Sequence, residues 1–211
     1  MFWIEIDNSK SRDNQLGFGH QPALLLINFV QAYTHRTSPL FSSGLSHAVG
    51  EAADLLSFAR QSKIPIFHSN IKYASADLIG NLWLKKTPSM TIMTAGNALA
   101  EFCDPVAPTA GETVITRNCS SAFFGTKLYQ SLREHGVDTL VLAGGPTSDA
   151  IRATAVDGIQ HGFRVIVVRE CVGDRYPEVS EVHLREIDRS YGDVVVKDRV
   201  IEAFRFAKAR R

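Results

Sequence analysis

The stretch GGPTSDAIRATA, residues 145–156, follows the apolar run 139–143 and reads as the opening of a helix. A strand-to-helix corner of this kind is where an α/β enzyme holds a nucleophile, because the first helical turn carries partial positive charge. Here that turn bears Ala150, whose methyl group has no lone pair. Beside it, Asp149 is able to act as an acid or base, although a first-turn Asp commonly serves as a favourable charge at the helix start. Thr147 and Ser148 read first as the N-terminal cap. Other side chains able to do chemistry are the thiols Cys119 and Cys171, His68, and the cation Arg175. A free Cys is usually a buried, inert residue, so each thiol reads first as packing.

The elements that position these groups follow from hydrophobic periodicity. Apolar runs at 22–28, 64–70, 112–116, 138–144 and 163–170 read as strands, with an edge strand at 193–197. Amphipathic stretches at 45–62, 125–136, 147–162, 176–192 and 198–209 read as helices, and 71–110 is irregular with two short helices. Repeated strand–helix units demand a mostly parallel six-stranded sheet with helices on both faces, a three-layer α/β/α fold. Such sheets bind ligands beyond the carboxyl ends of their strands. The candidate site therefore gathers residues 28–30, 68–70, 117–121, 145–150 and 171–175.

Composition narrows the class. The 211 residues are 45% hydrophobic and 21% charged, which suits one soluble domain, taken as 21–211 after an N-terminal arm at 1–20. Lys plus Arg is 23 and Asp plus Glu is 22, leaving a net charge of +1 and no electrostatic case for nucleic acid or an anionic membrane. Three widely spaced cysteines form neither a disulfide framework nor a metal signature, in keeping with a cytoplasmic setting. The start, MFWIEIDNSKSRDNQ, has no signal-peptide pattern, and no apolar run reaches membrane-spanning length. No Walker pattern or G-x-G-x-x-G follows the first strand, and the histidines lack ligand spacing, so no cofactor or metal is expected.

Four stretches carry a resemblance: PALLLINFVQAYTHRTSPLF, RNCSSAFFGTKL, DTLVLAGGPTSDAIRATAVDGIQHGFRVIVVRECVGDR and EIDRSYGDVV. In order and spacing the chain resembles the isochorismatase-like cysteine hydrolases, near the N-carbamoylsarcosine amidohydrolase branch. The resemblance implies the Rossmann-like isochorismatase fold and an oligomer, expected to be a homo-tetramer, with Met1-Phe2-Trp3-Ile4 suited to packing on a neighbour. It also implies three catalytic loci: a basic Asp after strand one, a helping Lys after strand three, and a nucleophilic Cys at the corner after strand four. In this sequence those loci hold Asn28, Arg117 and Ala150. An amide has no usable basicity, a guanidinium gives up no proton near neutrality, and a methyl group cannot attack.

By that mechanism the chain is expected to be inactive: a pseudoenzyme binding a small carboxylate or a carbamoyl- or amide-type ligand, or supporting an active paralogue in a mixed oligomer. Ala150 alone would suit an engineered substrate trap, whereas the threefold difference reads as natural. The alternative is a hydrolase of C–N or related bonds in which Asp149, Cys171 or His68 serves in the same pocket, as a vinyl-ether-cleaving branch of the superfamily works without a Cys. Gly145-Pro146 occupies the family's cis-peptide locus. Arg175, in VGDR, matches the arginine that grips a substrate carboxylate, the competing reading being an ion pair with Asp174 or Glu178. Thr147 and Asp149 join the expected ligand contacts, with Phe29, Tyr33, Trp83 and Phe124 as apolar walls. The Asp–His–His metal group of the nicotinamidase branch has no counterpart, since only His68 stands between residues 66 and 75.

Overall fold

The computed structural model describes residues 14–74 and 81–209. Met1-Phe2-Trp3-Ile4 and the terminal Arg210 and Arg211 lie outside them. Six strands form one sheet: β1 (Pro22–Ile27), β2 (Ile66–Ile71), β3 (Thr113–Arg117), β4 (Thr139–Gly144), β5 (Arg164–Val172) and β6 (Asp193–Val195). Their order is β3-β2-β1-β4-β5-β6 and every pairing is parallel. The helices are α1 (Gln31–Thr34), α2 (Ser43–Gln61), α3 (Leu82–Lys86), α4 (Leu128–Glu134), α5 (Arg152–Gln160), α6 (Pro177–Ser190) and α7 (Lys197–Ala209). Between β2 and β3 the described chain holds α3 and three 3₁₀ turns, the irregular segment expected from its composition.

Alternation along the strands builds two cores. Leu24 and Leu26 of β1 pack with Leu45, Leu55 and Leu56 of α2 and with Val200 and Phe204 of α7. Ala23, Leu25 and Ile27 point the other way, into a layer with Leu132 of α4, Ala155 of α5 and Ile187 of α6. Because helices cover both faces, all six residues of β1 are buried and the strand reads as a continuous apolar run. Each large side chain so buried contributes roughly 1.5–3 kcal/mol.

The order of the strands reverses between β1 and β4, which opens the sheet at that point. Ile27 lies opposite Gly144 in register, so the residues that follow, Asn28 and Gly145, leave the sheet side by side. Gly144 is required there: its φ is +120°, and a Cβ would sit 1.9 Å from the Ile27 carbonyl oxygen. Behind it, Gly173 passes so close to the start of α2 that a Cβ would come within 2.3 Å of Gly44.

β5 is longer than its periodicity predicts. A register shift between Leu142 and Gly144 carries the pairing on to Val172, so Cys171 lies inside the strand and not in a loop at its mouth. β2 runs from Ile66 to Ile71, starting two residues later and ending one later than its predicted range, and His68 lies in its interior opposite Leu26. The helix predicted from residue 147 begins instead with one π turn, Thr147–Ile151, before α5.

Candidate functional site

Asn28 is the hinge of the strand-end cluster. Its φ of +56° turns the chain sharply off β1, a conformation that Asn tolerates better than most residues. The side chain is fully buried and bridges two loops. Its Nδ2 donates to the Gly145 carbonyl at 2.9 Å, and its Oδ1 accepts from Arg117 Nη1 at 3.1 Å. Arg117, the last residue of β3, is 4% exposed. Its Nε donates to the Ser120 carbonyl at 3.2 Å, while Nη2 is buried with no hydrogen-bond partner. Burial weakens the guanidinium's hold on its proton, to a pKa of about 10, and leaves it charged at neutral pH.

The corner after β4 faces this pair. The Gly145-Pro146 bond is cis. Ala150 is completely buried and joins the core layer of Ile27 and Leu142. Asp149 is half-buried and accepts a short hydrogen bond from Ser120 Oγ. Burial is the largest influence on its carboxyl and raises the pKa; Ser120 and the charge of Arg117 pull down, and Asp174 adds to the rise. Tyr33 is buried and held protonated, chiefly by burial and then by the charge of Asp149. The electrostatics of Arg117 couple it to Tyr33, Cys119, Asp149 and Tyr73, so these groups share one neighbourhood.

The capping reading of Thr147 and Ser148 does not hold. Pro146 occupies the cap position, without a side-chain cap. The Thr147 hydroxyl accepts from Ser180 Oγ at 3.0 Å, and the Ser148 N–H donates to Asp174 Oδ2 at 2.8 Å. Asp174 thereby supplies from another loop the acceptor that a cap would have given.

Arg175 stands close enough to act electrostatically on Tyr33. Its guanidinium is engaged with backbone: Nε donates to Phe41 O at 3.2 Å and Nη2 to Pro39 O at 2.6 Å. Among the described residues it forms no ion pair with Asp174 or Glu178; Asp174 instead accepts from the Arg175 backbone N–H at 2.8 Å. Phe29 is 1% exposed and packs in the α2 core layer, so it is a core residue and not a pocket wall. Tyr33 and partly buried Trp83 belong to the same layer, whereas Phe124 is 72% exposed.

The other candidate nucleophiles and bases are occupied elsewhere. Cys171 is completely buried and its thiol is pushed up to about 12, chiefly by desolvation. Cys119 is half-buried, with Sγ directed at the Ser121 and Phe124 carbonyls, and burial raises its thiol despite the opposing charge of Arg117. His68 bonds through Nε2 to Glu112 at 2.8 Å, and its ring meets the edge of Phe102. Burial pushes its pKa down more than Glu112 raises it. Glu112 is claimed in turn by Arg60 at 2.7 Å, which completes a structural network on the side of β2 and β3. Sequence reasoning gave no role to Ser120 or Tyr73. Ser120 fell within the loop already singled out, while Tyr73 lies two residues beyond the end of β2 and has no periodic signal.

Comparisons with known proteins agree with this fold. The isochorismatase domain matches residues 22–198. Maleamate amidohydrolase of Pseudomonas putida strain KT2440 is 47% identical over 207 residues, covering 94% of this chain and 97% of its own. N-carbamoylsarcosine amidase of Arthrobacter sp. is 33% identical, covering 93% of this chain and 76% of its own. Among solved structures, a cysteine hydrolase from Pseudomonas syringae pv. phaseolicola 1448A superposes with a TM-score of 0.83 at 20% identity, over 89% of this chain and 93% of that one. The last likeness concerns the fold alone. With the domain spanning most of the sequence and relatives named as amide hydrolases, the chain belongs to the isochorismatase family of hydrolases.

Proposed function

We propose that the strand-end site takes a small ligand carrying an amide or a carboxylate, and that no thiol attacks the ligand there. The observation behind this reading is the buried Asn28–Arg117 hydrogen bond at the corner that bears Ala150. An amide, a permanent cation and a methyl group supply neither a base nor a nucleophile. The ligand class is supported by the names of the relatives, since maleamate joins an amide to a carboxylate and N-carbamoylsarcosine joins a carbamoyl group to one.

A second reading, amide hydrolysis by other residues, is favoured by the same names and by the Ser120–Asp149 hydrogen bond. A half-buried carboxyl with a raised pKa has the character of a general acid or base. Ammonia release from maleamate and N-carbamoylsarcosine separates the two. The parent chain is expected to release none, and the combined Asn28→Asp, Arg117→Lys and Ala150→Cys variant to gain turnover. Ammonia release by the parent that vanishes in Asp149→Asn would establish the second reading and remove the first.

A further inference from the structure

Arg117 is a buried cation with an unfinished shell. A guanidinium presents five N–H groups in a fixed fork. Nε is given to the Ser120 carbonyl and Nη1 to the Asn28 amide oxygen, both neutral acceptors, and Nη2 has no hydrogen-bond partner. Among the described residues no carboxylate lies within ion-pair distance of it. Asp149 feels its charge but is governed by burial and spends Oδ1 on Ser120. A desolvated charge is costly unless an opposite charge and hydrogen bonds compensate it. The Nη2 edge of this fork is the part of the guanidinium that no protein acceptor fills.

The other candidate, Arg175, is in the opposite situation. Its head group is exposed and tied by two hydrogen bonds to the backbone of residues 39–41. A cation in that setting gains little from a further ionic contact. Asn28 also holds Arg117 in place: its amide is itself fixed by the Gly145 carbonyl, so the guanidinium cannot rotate without breaking that relay. A pre-oriented fork loses less entropy on binding than a mobile one.

We propose that the free Nη2 edge of Arg117 anchors the carboxylate of the ligand, and that Arg175 serves instead to dock the 39–41 loop. The assignment rests on the ligand class proposed above. It makes the last residue of β3 an anion-recognition group, with the amide or carbamoyl end of the ligand directed away from the guanidinium toward the β4 corner. No covalent step is involved.

Calorimetric titration of the full chain with maleamate, maleate and the uncharged diamide maleamide tests it. The parent is expected to bind maleamate and maleate, and to bind maleamide about tenfold or more weakly, in line with the loss of a charge-assisted hydrogen bond. Arg117→Gln should erase that preference and Arg175→Ala should keep it. Because Arg117→Gln leaves a buried vacancy, Arg117→Lys is measured beside it, with melting curves as a check of folding. The lysine variant retains charge but not the fork, and is expected to weaken both acids by several-fold. If the preference for a carboxylate survives both Arg117 variants, or disappears in Arg175→Ala, the anchor assignment alone is overturned. Failure of the parent to bind any of the three probes overturns the ligand class together with the anchor.

Discussion

Asn28 acts once through its side chain and once through its backbone, and two substitutions separate the roles. Glycine accepts the φ of +56° without strain but removes both hydrogen bonds, at 2.9 Å to Gly145 and 3.1 Å from Arg117. A buried bond to a charged donor is worth about 1.5–3 kcal/mol and a neutral one about 1 kcal/mol. The added freedom of glycine in the unfolded chain costs a further ~0.5–1 kcal/mol. Asn28→Gly is therefore expected to lose about 3–5 kcal/mol, which for a domain of this size lowers the melting midpoint by roughly 6–20 °C. Asn28→Ala removes the same bonds and adds the left-handed penalty of an L-residue, about 1–2 kcal/mol, offset in part by its stiffer unfolded chain. Alanine should thus lie below glycine by about 1 kcal/mol, although alanine is ordinarily the more stable choice. Urea unfolding of the parent and both variants reads the two differences directly. A glycine variant within ~1 kcal/mol of the parent would refute the bridge to Arg117. An alanine variant as stable as the glycine one would refute the left-handed turn.

Two further outcomes probe the surroundings of that bridge. Burial raises the Asp149 carboxyl above its ordinary value of 3.8, so the folded chain holds this proton more tightly than the unfolded one. The stabilisation is complete below about pH 4 and is lost as pH rises through the raised value. Asp149→Asn should therefore flatten the stability profile across that window and gain on the parent toward neutral pH; urea midpoints that run parallel in the two proteins would sink the idea. In native protein treated with iodoacetamide, mass spectrometry should find the adduct first on half-buried Cys119, with Cys171 protected until unfolding. Equal labelling of the two would contradict the position of Cys171 inside β5.

What the sequence makes legible here is whatever periodicity controls. Leu24, Leu26, Val141 and their neighbours declare buried parallel strands, and the ends of such strands mark where Asn28, Arg117 and the 145–150 corner must meet. Less legible is anything that depends on where a strand stops. Cys171 reads as a mouth residue only if β5 ends near residue 170, and the shift at Leu142 that carries it further leaves no trace in the hydrophobic pattern. Side chains that reach the site through non-periodic loops are hidden for the same reason. Ser120 meets Asp149, and Arg175 turns to the 39–41 carbonyls, through chain reversals that no spacing rule encodes. The capping assignment of Thr147 fails on a competition between partners. Ser180 of α6 offers the hydroxyl a bond across the structure that the local reading could not weigh.

The same competition between local and distant partners bears on how the site works. Arg117 and Arg175 carry the same charge, and the family resemblance favours Arg175 because VGDR matches the arginine that grips a substrate carboxylate. Under the anchor assignment proposed above, burial reverses that preference. Arg175 is exposed and bonded to carbonyls, so an ionic contact with an anion gains little there. Arg117 has surrendered its water, holds only neutral acceptors, and leaves Nη2 unfilled. Where two like charges flank one site, the one already desolvated gains more from the ligand, because the cost of removing water was met when the chain folded. On the proposed assignment, the affinity of this chain for a carboxylate depends on the Asn28 relay that keeps Arg117 in position. A substitution at Asn28 should weaken acid binding even though Asn28 itself need not touch the ligand.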